Sequence, residues 1–153
     1  MSPKVVVTNR QAKRDFFILE TLEAGLQLTG CEVKSLRNHR ANLKDSFARV
    51  EGGEVFIYNL HISPYEKGGR SNQNPKRTRK LLFKKKEINY LEGKTSQRGL
   101  TLVPLSIYFR RGYAKVEVAL AKGKRQYDKR QTIIKERQRR EMDRALKFKR
   151  QKR

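Results

Sequence analysis

The chain has no tryptophan, one cysteine, two histidines and only 15 acidic residues among 153. Each scarcity removes a class of protein. A single thiol, Cys31, cannot form an internal disulfide and suits a reducing cytoplasm. Cys31, His39 and His61 fall short of the roughly four closely spaced ligands a structural zinc needs, so neither metal nor cofactor is expected. No apolar run approaches the roughly 20 residues of a transmembrane helix, and no signal-peptide pattern opens the sequence. Catalytic chemistry is scarce as well. Gly68-Gly69 lacks the Gly-Lys-Ser/Thr ending of a phosphate-cradling loop, and neither a Gly-x-Ser-x-Gly elbow nor a convincing Cys/His pair occurs. These absences argue against an enzyme and for a cytoplasmic protein away from the membrane.

Positive charge is what the chain has in abundance. Lys and Arg number 38, for a formal net charge of +23. The last 31 residues, 123–153, hold fourteen Lys or Arg against four Asp or Glu. Their apolar stripe is thin: Ile134, Met142 and Leu146 recur at multiples of four, interrupted by Gln138. So little apolar surface cannot offset the entropy of ordering, and alone this tail is expected to be disordered or a fraying helix. It is rich in helix formers, and Glu136–Arg140 and Asp143–Lys147 are i,i+4 pairs worth roughly 0.3 kcal/mol each. Screening by phosphates should therefore turn it helical. The other +13 lies on residues 1–122, so the body is basic too. A phosphate backbone is the natural complement, because each neutralised phosphate releases condensed counterions. The length accommodates one domain, 1–122, with the tail 123–153.

Along the body, Lys4 to Val7 reads as a short strand and Asn9 to Arg14 as one or two helical turns with Asn9 as N-cap. Phe16 to Leu28 reads as a long strand with a bulge or bend at Gly25. Thr29-Gly-Cys-Glu32 has capping-box spacing, predicting a helix to Arg37 with Val33 and Leu36 facing the core. Gly52-Gly53 joins two predicted strands. Ser63 to Lys80 is polar, basic and broken by Pro64, Gly68-Gly69 and Pro75, which predicts a mobile loop. A helix is predicted over Lys84 to Gln97 and a second hairpin around Arg111-Gly112. The fold class expected is α+β, mostly β. Five or six strands would form a small oligonucleotide-binding-type barrel, flanked by two or three short helices and followed by the basic tail.

Several blocks are distinctive in type and order. They are Asn9-Arg-Gln-Ala-Lys13, Glu23-Ala-Gly-Leu-Gln-Leu-Thr-Gly-Cys-Glu-Val-Lys-Ser-Leu-Arg37, Asp45-Ser-Phe47, Thr78-Arg-Lys-Leu-Leu82 and Ala121-Lys-Gly-Lys-Arg-Gln-Tyr-Asp-Lys-Arg130. Together, from about Val5 to Arg130, they closely resemble the small protein B family of bacterial trans-translation. The resemblance implies a barrel that grips the tRNA-like domain of transfer-messenger RNA and enters stalled ribosomes. It also implies a tail that lies helical in the vacant mRNA channel near the small-subunit decoding centre. No catalysis is implied, and a monomer is expected.

The candidate RNA-binding residues are Asn9, Arg10, Lys13, Glu23, Lys34, Arg37, Arg79, Lys80 and Leu82. Asn9, Arg10 and Lys13 form a polar-basic patch that by pattern alone reads first as an N-cap followed by solvated charges; the resemblance instead implies that it meets ribose, base edge or phosphate. Glu23 is either an ion-pair partner or, as the resemblance implies, a group that accepts from a base or orients a cation. Lys34 and Arg37 project from one helix face, toward solvent or phosphate. Leu82 reads as core by pattern and as an RNA contact by resemblance. The candidate ribosome contacts in the tail are Lys124, Arg125, Tyr127, Asp128, Lys129 and Arg130, and the resemblance makes Tyr127 a residue to stack on an rRNA base. Mid-tail Gln138-Arg139 are polar where the family carries a large apolar residue. Two rivals stand beside this reading: a constitutive ribosomal protein, which composition alone does not distinguish, and an RNA-modifying enzyme, for which no catalytic constellation is visible.

Overall fold

The computed structural model describes residues 4–151, apart from the side chains of Gln126 and Tyr127. Two compact units result, residues 1–123 and 124–153.

In the first unit the element order is β1 (Lys4–Thr8), α1 (Ala12–Asp15), β2 (Phe16–Leu26), α2 (Gly30–Arg37), β3 (Ala41–Asn42), β4 (Phe47–Glu51), β5 (Glu54–Tyr58), β6 (His61–Ile62), β7 (Arg79–Leu82), α3 (Lys85–Thr95), β8 (Leu100–Arg110) and β9 (Tyr113–Gly123). Seven strands form one antiparallel sheet in the order β1-β8-β4-β5-β7-β2-β9, and β9 pairs back on β8, so the sheet closes into a ring. The fold is thus mixed α+β. The small extra ribbon β3–β6 was not expected from the sequence.

Alternation of side chains across the strands sends Leu26, Val55, Ile57, Leu81, Leu102, Ile107, Val116, Val118 and Leu120 inward. Leu36 of α2 and Leu91 of α3 are fully buried against this core. The two long strands β8 and β9 are in register from Leu100↔Lys122 to Arg110↔Tyr113, with one irregularity between Pro104 and Ser106. Proline brings no ladder donor, and the break in register falls beside it.

Two details of β2 differ from the expected bend at Gly25. The bulge lies between Ile18 and Glu20, and Leu19, the extra residue, is 56% exposed. Gly25 pairs regularly with Leu82 on one side and Lys115 on the other. A Cβ at Gly25 would stand 3.2 Å from Leu82 Cβ, so glycine here admits a close neighbour. Asn9 is not an N-cap either. Gln11 precedes α1 without a side-chain cap, and Asn9 instead ties to β8 through its own N–H to Leu105 O at 2.7 Å and its Nδ2 to Pro104 O at 2.9 Å.

The capping box of α2 forms as the spacing predicts: Thr29 accepts from the Glu32 N–H, and Glu32 Oε1 accepts from the Thr29 N–H at 3.0 Å. The 63–80 segment is not a slack loop. Asn72 accepts from the Tyr65 N–H at 2.9 Å and donates to Tyr65 O at 2.8 Å, closing the loop on itself around a 3-10 turn at Gly69–Ser71. Its last two residues belong to β7.

The second unit is a long helix. Gln126–Gln151 form one helix, α4, of 26 residues, about 39 Å long. Strong helix formers run unbroken by Gly or Pro, Asp128 sits in the first turn, and Lys149 and Arg150 complement the dipole at the last. Ile134, Met142 and Leu146 remain 45%, 67% and 54% exposed.

Candidate nucleic-acid interface

One end of the ring opens on a groove of about 1320 Å³. Lys4 of β1, Arg37 of α2, Arg110 and Lys115 of β8 and β9, and Arg111 of the hairpin between them line it, with Glu23 as the one carboxylate. His39, Phe109 and Tyr113 supply aromatic surface. Five cations against one carboxylate, on low-dielectric walls, concentrate a positive potential in the groove.

Local structure explains why these side chains converge. The capping box starts α2 so that Arg37 ends it, and the Arg37 guanidinium lies 5.7 Å over the Phe109 ring. His39, just past α2, has φ 58° and donates from Nδ1 to Val6 O at 3.1 Å. Arg111 and Gly112 both have positive φ, 52° and 81°, the pattern of a two-residue primed turn that holds Arg110 and Tyr113 as the last cross-strand pair.

Glu23 is embedded in this surface. Its Oε2 accepts from the Tyr108 hydroxyl and pairs with Arg110 Nη1 at 2.8 Å. Burial first, then the Glu23 carboxylate, pushes the Tyr108 hydroxyl well above the ordinary tyrosine range, so it stays a proton donor to Glu23. The ion-pair reading of Glu23 therefore holds, and the pair lies where a ligand in the groove would meet it. Leu82 is 50% exposed rather than core, and Leu82, Gly25 and Lys115 lie abreast on β7, β2 and β9. An apolar contact thus sits beside the groove's basic wall.

Arg79 needs correction. Its side chain is fully buried: Nε donates to Glu32 Oε2 at 2.5 Å, Nη1 to Leu60 O at 2.6 Å and Nη2 to Pro75 O at 3.0 Å. With its donors so committed, Arg79 has nothing to offer an RNA. Arg77 donates its Nε and Nη2 to the same Glu32. Glu32, 5% exposed, is thus the anchor on which α2, the 75–79 chain and β7 converge. Burial opposes its charge, yet Arg77, the Thr29 N–H and Arg79 together hold its carboxyl below the usual range.

The other predicted residues are dispersed. Lys34 is exposed on α2 with its Nζ 5.3 Å over the Tyr65 ring. Lys80 pairs with Glu54 at 3.0 Å on the outer face of β7. Arg10 and Lys13 are exposed beyond the far end of β1. Lys4 and Thr8 bound that strand, roughly 13 Å apart, so the Asn9 patch and the groove occupy opposite ends of it. In the second unit Lys124 Nζ donates to Thr132 Oγ1 at 2.8 Å, and Asp128, Lys129 and Arg130 lie in the first turns of α4 with Arg125 just before it. The Tyr127 side chain lies outside the described residues.

Sequence reasoning missed Lys4, Arg110, Arg111, Tyr113 and Lys115 as members of one site. The hairpin was legible, but its flanking residues were read for burial alone. The missed signal is Arg111 itself, at a turn position that favours Asn, Asp or Gly.

The SmpB protein family model matches residues 6–148. The SsrA-binding protein of Pelotomaculum thermopropionicum is 58% identical over 147 residues, covering 96% of each chain. That of Halothermothrix orenii is 60% identical over 144 residues, covering 94% of this chain and 93% of its own. A solved chain from a structure described as "tmRNA-SmpB: a journey to the center of the bacterial ribosome" superposes with a TM-score of 0.67 at 53% identity, over 83% of this chain and 93% of that one.

Proposed function

From the premise that this chain belongs to the SmpB family, we infer that it is an SsrA (tmRNA)-binding protein of trans-translation that acts with the ribosome. The observation that carries this is near-full-length identity of 58% and more to SsrA-binding proteins. The family is one of RNA-binding proteins, not of enzymes. No helix among the described residues is long and apolar enough to cross a membrane, in keeping with a place of action in the cytoplasm.

The finer roles are part of the same proposal, and the family resemblance and the exposed basic surface support them. The body acts as an oligonucleotide-binding-type barrel that seats the tRNA-like domain of transfer-messenger RNA on the groove and the Leu82–Gly25–Lys115 row, with Arg37 and Glu23 inside the footprint. Lys34 and Lys80 extend its basic margin, and the Asn9–Arg10–Lys13 patch meets a separate stretch of the RNA. Gln126–Gln151 carry their charge on a helix about 39 Å long, able to follow a groove on a large RNA surface. It enters the vacant mRNA channel of a stalled ribosome, with Lys124 to Arg130 nearest the decoding centre.

A competition titration at one fixed salt concentration tests the reading. The intact protein bound to labelled tRNA-like domain is challenged with tRNA and with an A-form duplex of equal charge. Preference for the tRNA-like domain by tenfold, about 1.4 kcal/mol, is expected. A variant ending at Gly123 should keep that preference and lose tagging of stalled chains. Equal competition by all three RNAs would refute shape recognition and favour a constitutive ribosomal protein.

A further inference from the structure

We propose that the β8–β9 hairpin tip is a nucleotide-docking site, in which an unpaired RNA base stacks on Tyr113 while Arg111 holds a flanking phosphate. The proposal rests on the RNA-binding reading of the groove and names the chemistry it selects.

Three observations converge on it. Tyr113 is 72% exposed, more than any other large hydrophobic among the described residues, and it lines the groove. Phe47 and Tyr58, by contrast, stack on each other, and Phe109 is covered by Arg37. A large ring held open in a groove walled by cations is what a base presenting its π-face would use.

The second observation is the turn. Asn, Asp or Gly occupy positive φ at little cost, whereas Arg111 holds φ 52° with its Cβ crowded. Backbone strain of this kind concentrates where function requires a particular side chain. Arg111 is exposed, directed from a two-residue turn that cannot flex far, and separated from Tyr113 only by Gly112.

The third is the division of labour around them. Arg110 is engaged by Glu23 and lies 5.6 Å over the Tyr108 ring. Arg37 lies 5.7 Å over the Phe109 ring. Those two cations are engaged in the wall, and of the three others that line the groove, Lys4, Lys115 and Arg111, it is Arg111 that stands exposed in the turn beside the open ring. A paired helix would offer no base face here, so the occupant is a nucleotide from a loop, bulge or end.

The test uses the full-length protein and the tRNA-like domain of transfer-messenger RNA at several salt concentrations. Tyr113→Leu should weaken binding about tenfold with the slope of log K against log salt unchanged, and Tyr113→Trp should stay within about threefold of the parent. Arg111→Gln should weaken binding and reduce that slope by about one contact. If Tyr113→Leu binds within twofold of the parent, or lowers the salt slope as Arg111→Gln does, the stacking assignment is overturned. Polyglutamate competing as well as RNA of equal charge would also overturn it, making the tip a general anion surface. If the unsubstituted protein shows no preference for the tRNA-like domain, the parent reading fails, which is a distinguishable result.

Discussion

Replacing Glu32 by Gln keeps the shape of the side chain and removes its charge. The capping acceptor survives, because a Gln oxygen can still receive the Thr29 N–H. What is lost is the counter-charge for Arg79, whose side chain is fully buried, and for Arg77. Removing one member of a buried pair costs about 3–5 kcal/mol, since the other is left charged without solvent. The lower end applies here: Arg79 keeps its bonds to Leu60 O, Arg77 O and Pro75 O. About 3 kcal/mol is a large part of a total near 5–15, and it should lower Tm by roughly 10 °C. Urea titration followed by circular dichroism should show a lower midpoint at unchanged m. The double variant Glu32→Gln with Arg79→Met should lose less than the two single variants summed, because the stranded cation is gone while the carbonyls that Arg79 served lose their donor only once. The pH dependence follows from the lowered carboxyl of folded Glu32. Its contribution is fully present above the unfolded carboxylate value and disappears as pH falls through the folded one. The stability gap between parent and Glu32→Gln should therefore narrow in acid. A loss below about 1 kcal/mol at neutral pH, or strict additivity of Glu32→Gln and Arg79→Met, would refute the clamp.

Two further outcomes are expected. Arg111→Asn relieves the left-handed strain at the hairpin and should raise stability by about 0.5–1 kcal/mol in urea, while weakening binding to the tRNA-like domain; a variant that gains neither stability nor an RNA defect would contradict the strain argument. Gly25→Ala places a Cβ 3.2 Å from Leu82 Cβ and should swing that half-exposed side chain aside. Stability should change by less than about 1 kcal/mol while RNA affinity falls severalfold, and unaltered affinity would detach Leu82 from the interface.

Charge, absences and local chemistry were readable directly. The capping box, both hairpins and the periodicity of α3 need only neighbours in sequence, so Thr29–Glu32, Gly52-Gly53 and Arg111-Gly112 signalled themselves. The five blocks between Asn9 and Arg130, taken together, carried the family resemblance, and with it the RNA partner. Other features stayed hidden because their causes are nonlocal. Glu32 reads as a helix cap, and only the tertiary structure brings Arg77 and Arg79, 45 and 47 residues away, onto the same carboxylate. That contact turned a predicted RNA ligand, Arg79, into a buried strut. It also turned a predicted mobile loop into a tethered one. Pattern alone reads Leu82 as core because alternation cannot say which face of a closed sheet looks inward until the strand's neighbours are known. Ring closure through β8 and β9 likewise assembles Lys4, Arg37, Arg111 and Tyr113 from opposite parts of the chain into one groove. Composition determined that the protein binds a polyanion, because net charge survives any arrangement of the residues. The groove proposed to receive it depended on long-range strand pairing, which no short stretch of sequence encodes.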